Sequence, residues 1–149
     1  MGKSTTTIRL MRADDFEAVV GIDEKVLGMA RREYYEMKFE KLFRSNDFVP
    51  ASLVAEDGAK VAGFVMGEVY IGEYGIAREG ATLDTIGVDP EYQQKGVGEQ
   101  LIEEFVAHLK SMGVQKVHTL VGLDDAKLMK FFNANAFSPS KTINLERSL

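Results

Sequence analysis

The sequence predicts a mixed α/β fold, an α+β arrangement with one central sheet flanked by helices, in a single domain spanning residues 1–149. Alternating apolar segments recur as short strands, stripes at helical spacing separate them, and the length suits one core. Hydrophobic residues make up 45% and charged residues 28%, as in an ordinary globular protein.

The elements follow in order. "TTTIRLMR" (Thr5–Arg12) alternates Ile8 and Leu10 with polar neighbours and reads as a first strand. Asp14 or Asp15 is placed to cap a helix carrying Phe16, Val19, Val20, Ile22 and Val26, stopped by Gly28. A second helix, from Arg31 to Arg44, carries Tyr34, Tyr35, Phe39, Leu42 and Phe43. Those tyrosines either shape a pocket or bury a ring in the core.

"ASLVAED" and "KVAGFVMGEVYI" are two strands joined at Asp57-Gly58. The glycine-rich "GEYGIAREG" leads into a fourth strand, "ATLDTIGVD". A helix to Met112, ended by Gly113, sets Leu101, Ile102, Phe105, Val106, Leu109 and Met112 on one side. "VQKVHTLVG" is a fifth strand, Asp124 caps a last helix through Phe132, and "KTINLERS" closes as another strand. The predicted order is β-α-α-β-β-β-α-β-α-β.

Composition removes several functions. A net charge of −5 with no basic stripe argues against nucleic acid as a partner. No apolar run is long enough to span a bilayer, so no membrane partner is expected. The start lacks a signal-peptide pattern, and a cytoplasmic location is the expectation. With no cysteine and two histidines at unrelated positions, no metal site is expected.

The informative stretch is "VDPEYQQKGVGEQL", between the fourth strand and the following helix. The first-turn N–H groups of that helix lack partners and carry the positive end of its dipole. Gly96 and Gly98 leave the backbone bare, Lys95 adds a charge, and Gln93 and Gln94 add neutral donors. Together with Val97 they form an anion cradle of pyrophosphate size. The alternative is a turn eased by glycine that binds nothing. A P-loop is absent, and the dinucleotide fingerprint fails because its third glycine falls on Leu101.

Val88-x-Pro90-x-x-Gln93-x-x-Gly96-x-Gly98, between a strand and this helix, resembles the coenzyme A loop of the GNAT (GCN5-related N-acetyltransferase) superfamily. "TIRLMRADDFEAVVGIDEKV" is similar to that family's first strand and helix and "DDAKLMKFFNANAF" to its last helix, so the resemblance covers nearly the whole chain. It implies a GNAT-like, mostly antiparallel sheet and acetyl-CoA as co-substrate without a metal. The implied acceptor is a primary amine of a small molecule, a peptide N-terminus or a lysine. Many relatives dimerise, so a homodimer is among the expectations.

The resemblance also implies residue roles. The Gln93–Gly98 backbone would bind the pyrophosphate. The strand through Ile86, Gly87 and Val88 would splay from "VHTLV" to admit the pantetheine and thioester, with a bulge at Gly87 and the Val88 N–H facing the oxyanion. The amine would attack the thioester directly. Phe132 stands where many members carry a tyrosine acid, and Asp125 where an asparagine often begins the last helix. Leu120 replaces the glutamate of ribosomal-protein alanine acetyltransferases, which disfavours that function.

Asp84, read as sharing a face with Thr82, Ile86 and Val88, is the candidate base or amine anchor. Near a cleft its pKa would be raised. The other reading pairs it with a nearby lysine or arginine. Tyr74 is a candidate replacement acid, with packing as the alternative; His118 faces either the cleft or a structural partner. A catalytically silent acyl-CoA sensor and a nucleotide-phosphate binder remain rival functions.

Overall fold

The computed structural model describes residues 6–44, 51–71 and 79–149. They divide into two units, Met1–Thr119 and Leu120–Leu149.

In the first unit, β1 (Thr7–Leu10), β2 (Leu53–Asp57), β3 (Lys60–Ile71), β4 (Glu79–Val88) and β5 (Val117–His118) form one sheet in that order. The first four are antiparallel, and β5 joins β4 in parallel. The helices are α1 (Phe16–Leu27), α2 (Arg32–Arg44) and α3 (Val97–Ser111). Phe64 and Met66 of β3 pack against Val19, Val20, Tyr35 and Phe39 of α1 and α2. The other face of β3 meets α3, where Gly63 lies under Leu101 and Gly67 under Phe105. Full burial of Leu101, Phe105 and Leu109 contributes about 1.5–3 kcal/mol each.

Gly28 ends α1 in the left-handed conformation (φ 79°), as its position predicts. Asp15 does not cap α1 with its side chain; its carboxylate turns back to the Arg12 N–H and to Arg9. Val106, expected in the core, is exposed, because the stripe on α3 is completed by Val97 instead.

In the second unit, α4 spans Ala126–Ala134. Asp125 caps it, one residue later than the expected Asp124. "KTINLERS" forms no strand: Ile143 and Leu145 are exposed, and alternation alone makes no strand without a neighbouring ladder to take its backbone groups. The fifth strand is likewise only Val117–His118.

Candidate functional site

The site begins at the edge of β4. Val88 pairs with Gly63, and the next amide, Asp89 N–H, donates to Ala62 O at 2.8 Å. In an antiparallel ladder this turns the N–H and C=O of Val88 away from β3. On that outer side, β5 pairs with β4 only at Ala81–Val117 and Thr82–His118. Thr119 Oγ1 adds a bond to Leu83 O at 2.8 Å, and among the described residues no strand pairs with this side of β4 beyond it. The Gln93 side chain donates to Val88 O at 3.1 Å. Among the described residues no strand pairs with β4 on the side the Val88 N–H faces, and Ile86 shares that side by alternation.

A turn then carries the chain to α3. Asp89, 2% exposed, accepts from Glu91 N–H at 3.0 Å and from Lys25 Nζ of α1 at 3.0 Å. Burial pushes its carboxyl up, but the Glu91 amide and Lys25 ammonium hold it below the usual range. Tyr92 ties the far side down through its hydroxyl on Asp57, at 2.7 Å.

The next residues alternate in handedness. Gln94 has φ 62° and Gly96 φ 83°, the pattern by which successive N–H groups converge on one concavity. A Cβ on Gly96 would meet nothing within 4 Å, so glycine serves the backbone conformation there and the adjoining space is open. Gln100 N–H is the first to close the helical ladder, on Gly96 O at 3.0 Å. The amides of Val97, Gly98 and Glu99 are therefore the unsatisfied first turn of α3. Lys95 lies beside them with its Nζ 5.5 Å from the Tyr92 ring centre, and makes no ion pair among the described residues. Gln93 departs from expectation, since its backbone N–H reaches Pro90 O at 3.4 Å and its side chain holds Val88. The first-turn amides of α3, beside the left-handed Gln94 and Gly96, are a donor set that fits a pyrophosphate.

The bulge of β4 falls at Asp84, not at Gly87. Met66 pairs with Thr85 and Gly67 with Leu83, leaving Asp84 as the extra residue. Gly87 instead has a packing role, its α-carbon lying against the Phe64 ring. The bulge also reverses the alternation. Ile86 and Val88 share the α3-facing side with Val65 and Gly63, whereas Asp84 bonds toward α2, so the expected common face is not formed. Asp84 Oδ2 accepts from Lys38 Nζ at 2.9 Å and Oδ1 from Thr82 Oγ1 at 2.8 Å. This is the paired arrangement. Burial pushes the Lys38 ammonium down, but Asp84 holds it above its usual range and charged.

An acetyltransferase (GNAT) family model matches residues 16–137. The chain belongs to the acetyltransferase (GNAT) family. Its activity is therefore acetyl-CoA-dependent N-acetylation. An acetyltransferase of Pectobacterium atrosepticum is 29% identical over 142 residues, covering 95% of this chain and 94% of that protein. Among solved structures, the aminoglycoside N-acetyltransferase AAC(6')-Iy in complex with CoA is similar, with a TM-score of 0.78 and 19% identity over 97% of this chain and 95% of that one. Glucosamine-6-phosphate N-acetyltransferase from Arabidopsis thaliana is similar with a TM-score of 0.71 and 19% identity, over 97% and 99% of the two chains. Both likenesses are of fold.

The remaining candidates of this GNAT acetyltransferase lie outside the β4–α3 segment in sequence. Tyr74 lies outside the described residues. Asp125 and Phe132 belong to the second unit, where Asp125 Oδ1 accepts from Leu128 N–H at 3.1 Å. The Phe132 ring is buried, with Phe131 and Phe137 at 5.5 and 5.0 Å between centroids. His118 and Leu120 are both exposed. Sequence reasoning passed over Asp89, although an aspartate directly before a proline is a legible cap signal. It also passed over Lys38 and Thr85, whose partners are distant in sequence.

Among the described residues, no group of histidine, cysteine, aspartate or glutamate could hold a metal ion. None of the described helices is long and apolar enough to cross a membrane.

Proposed function

We propose that this chain acetylates a primary amine by direct attack on acetyl-CoA within a ternary complex, as one catalytic domain. The observation that carries this reading is the Val88 N–H turned away from β3, a short turn away from the first-turn amides of α3. When bound, acetyl-CoA supplies an activated acetyl group.

In this reading the amides from Gln94 to Gly98 hold the pyrophosphate and Lys95 screens its charge. Gln93 fixes the turn by holding Val88 O, and Ile86 and Gly87 line the approach along β4. The Val88 N–H donates to the thioester oxygen as negative charge develops there. By resemblance, Asp125 and Phe132 occupy the positions where many family members carry an asparagine and a tyrosine. Asp84 and its lysine partner lie on the α2 side of the same strand, where a carboxylate orients the acceptor ammonium or receives its proton. Phe132 cannot protonate the leaving thiolate, and a thiol pKa of about 8.5 makes solvent sufficient. Tyr74 is the remaining acid.

The acceptor class is a small-molecule amine, with amino sugars first, since the similar structures carry aminoglycoside and glucosamine-6-phosphate acetyltransferase names. Peptide N-termini and lysines come next. We place the protein in the cytoplasm and include a homodimer in the proposal.

The test is calorimetric titration of acetyl-CoA into the wild type and Gly96→Glu, followed by thiol release with a panel of amines. Micromolar binding lost in Gly96→Glu, with thiol release for one amine class, supports the reading; equal binding by both proteins removes the site. A second reading, a silent acyl-CoA sensor, is favoured by Phe132 and by the complete engagement of Asp84. Tight binding without thiol release from any amine would establish it.

A further inference from the structure

Lys38 and Tyr35 lie three residues apart on α2, and both reach the bulge of β4. Lys38 Nζ holds Asp84 Oδ2 at 2.9 Å, and the Tyr35 hydroxyl meets Thr85 Oγ1 at 3.0 Å. Adjacent residues of the bulge are thus bonded to one face of one helix. The Tyr35 bond is dry, with Tyr35 at 0% and Thr85 at 9% exposure.

The direction of its protons follows from its partners. Asp23 Oδ1 lies 2.8 Å from the Tyr35 oxygen and only accepts, so the single phenolic proton goes there. Arg31 donates to the same oxygen at 3.1 Å, and Thr85 must donate as well. Arg31 in turn grips Asp23 through both carboxylate oxygens, at 2.9 and 2.7 Å. The hub ties α1, the start of α2 and β4 together, and every member has a partner. A fully satisfied buried network of this kind holds one backbone arrangement.

A bulge rotates the strand that follows it. Here that strand is Ile86 to Val88, the segment with outward-facing amides. We infer that α2 acts as a clamp on the β4 bulge, with Tyr35 and Lys38 as positioning residues that set the direction of the Ile86 and Val88 amides. This deepens the proposed transferase function and rests on it for its effect on turnover. Neither residue needs to touch acetyl-CoA or the acceptor. The anion cradle hangs on another contact of α1, Lys25 with Asp89, which neither Tyr35 nor Lys38 touches, so loosening the clamp should spare donor binding.

The experiment compares the wild type with Tyr35→Phe, Lys38→Met and the double variant, in full-length protein. Amide nitrogen–proton spectra of the ligand-free protein should show Ile86 and Val88 shifted while Gly96 and Gly98 stay in place. The Kd for acetyl-CoA should stay within about twofold, and kcat should fall by about tenfold to a hundredfold in the double variant, as expected for a small misplacement of a reacting group. Lys38→Arg and Thr85→Ser should recover most of the turnover that Lys38→Met and Thr85→Val lose.

Unmoved Ile86 and Val88 amides in the folded double variant overturn the clamp. So does a parallel loss of acetyl-CoA binding and turnover, which marks general destabilisation. If the double variant does not fold, Thr85→Val against Thr85→Ser decides by the same spectra. A wild type that binds no acetyl-CoA sinks the transferase reading, while the ligand-free spectra still judge the clamp.

Discussion

Lys25 Nζ on α1 lies 3.0 Å from the buried Oδ2 of Asp89, the residue that opens the turn into α3. The carboxylate serves two structures with its two oxygens, capping the turn through Glu91 N–H and fastening it to α1 through the lysine. The position of the anion cradle therefore depends on a residue that contributes nothing to the cradle itself.

Asp89→Ala leaves the Glu91 amide and Lys25 without their acceptor. The expected loss is about 1–2 kcal/mol of stability, the usual effect of removing a capping aspartate. Weaker acetyl-CoA binding should accompany it. Chemical denaturation and calorimetric titration measure the two effects; full stability with full affinity would mean the turn holds itself.

Acid should weaken the fold through two carboxylates. Asp89 and Asp15 have their carboxyls held below the ordinary 3.8, Asp15 chiefly by Arg9 and the Arg12 amide against the opposing effect of burial. A depressed folded pKa contributes stability that is present above the unfolded value and is lost as pH falls through the lower, folded one. Melting temperature should therefore be level with respect to these groups at neutral pH and drop below about pH 4. In Asp89→Asn that acid limb should be shallower, and an unchanged slope would remove Asp89 from the linkage.

Gly87→Ala should destabilise without touching the cradle. A Cβ there would stand 2.8 Å from Phe64 Cε1 in a filled core, so one of the two must move. Overpacking of this kind costs about 1–3 kcal/mol. Urea titration reads it directly; a neutral result would show that the Phe64 ring yields freely.

Asp84→Asn should slow turnover more than it weakens acetyl-CoA binding, because its contacts are with α2 and Thr82 rather than with the cradle. Steady-state kinetics beside a binding titration separate the two. Wild-type turnover in this variant would take Asp84 out of the mechanism.

The candidate cradle could be proposed from the sequence because everything it needs is adjacent in the chain. Gly96, Gly98 and Lys95 sit at the start of an amphipathic helix, and a helix N-terminus exposes the same amides wherever it occurs. Gly28 and the core stripe of α3 were legible for the same reason. The closing strand was misread because alternation at Ile143 and Leu145 describes a face, and a strand also needs a neighbour for its backbone.

The amino-acid sequence alone determined the family, the order of most elements and the glycines and lysine at the start of α3. Tertiary structure alone decided which way β4 faces and what Asp84 does. The bulge moves from the expected glycine to Asp84, and this reverses the alternation that sequence spacing implies. Asp84 then meets Lys38, 46 residues away in the chain, and Thr85 meets Tyr35, 50 residues away. Periodicity and capping act over one or two turns of chain, whereas ladder register and buried ion pairs exist only once helix and sheet are packed.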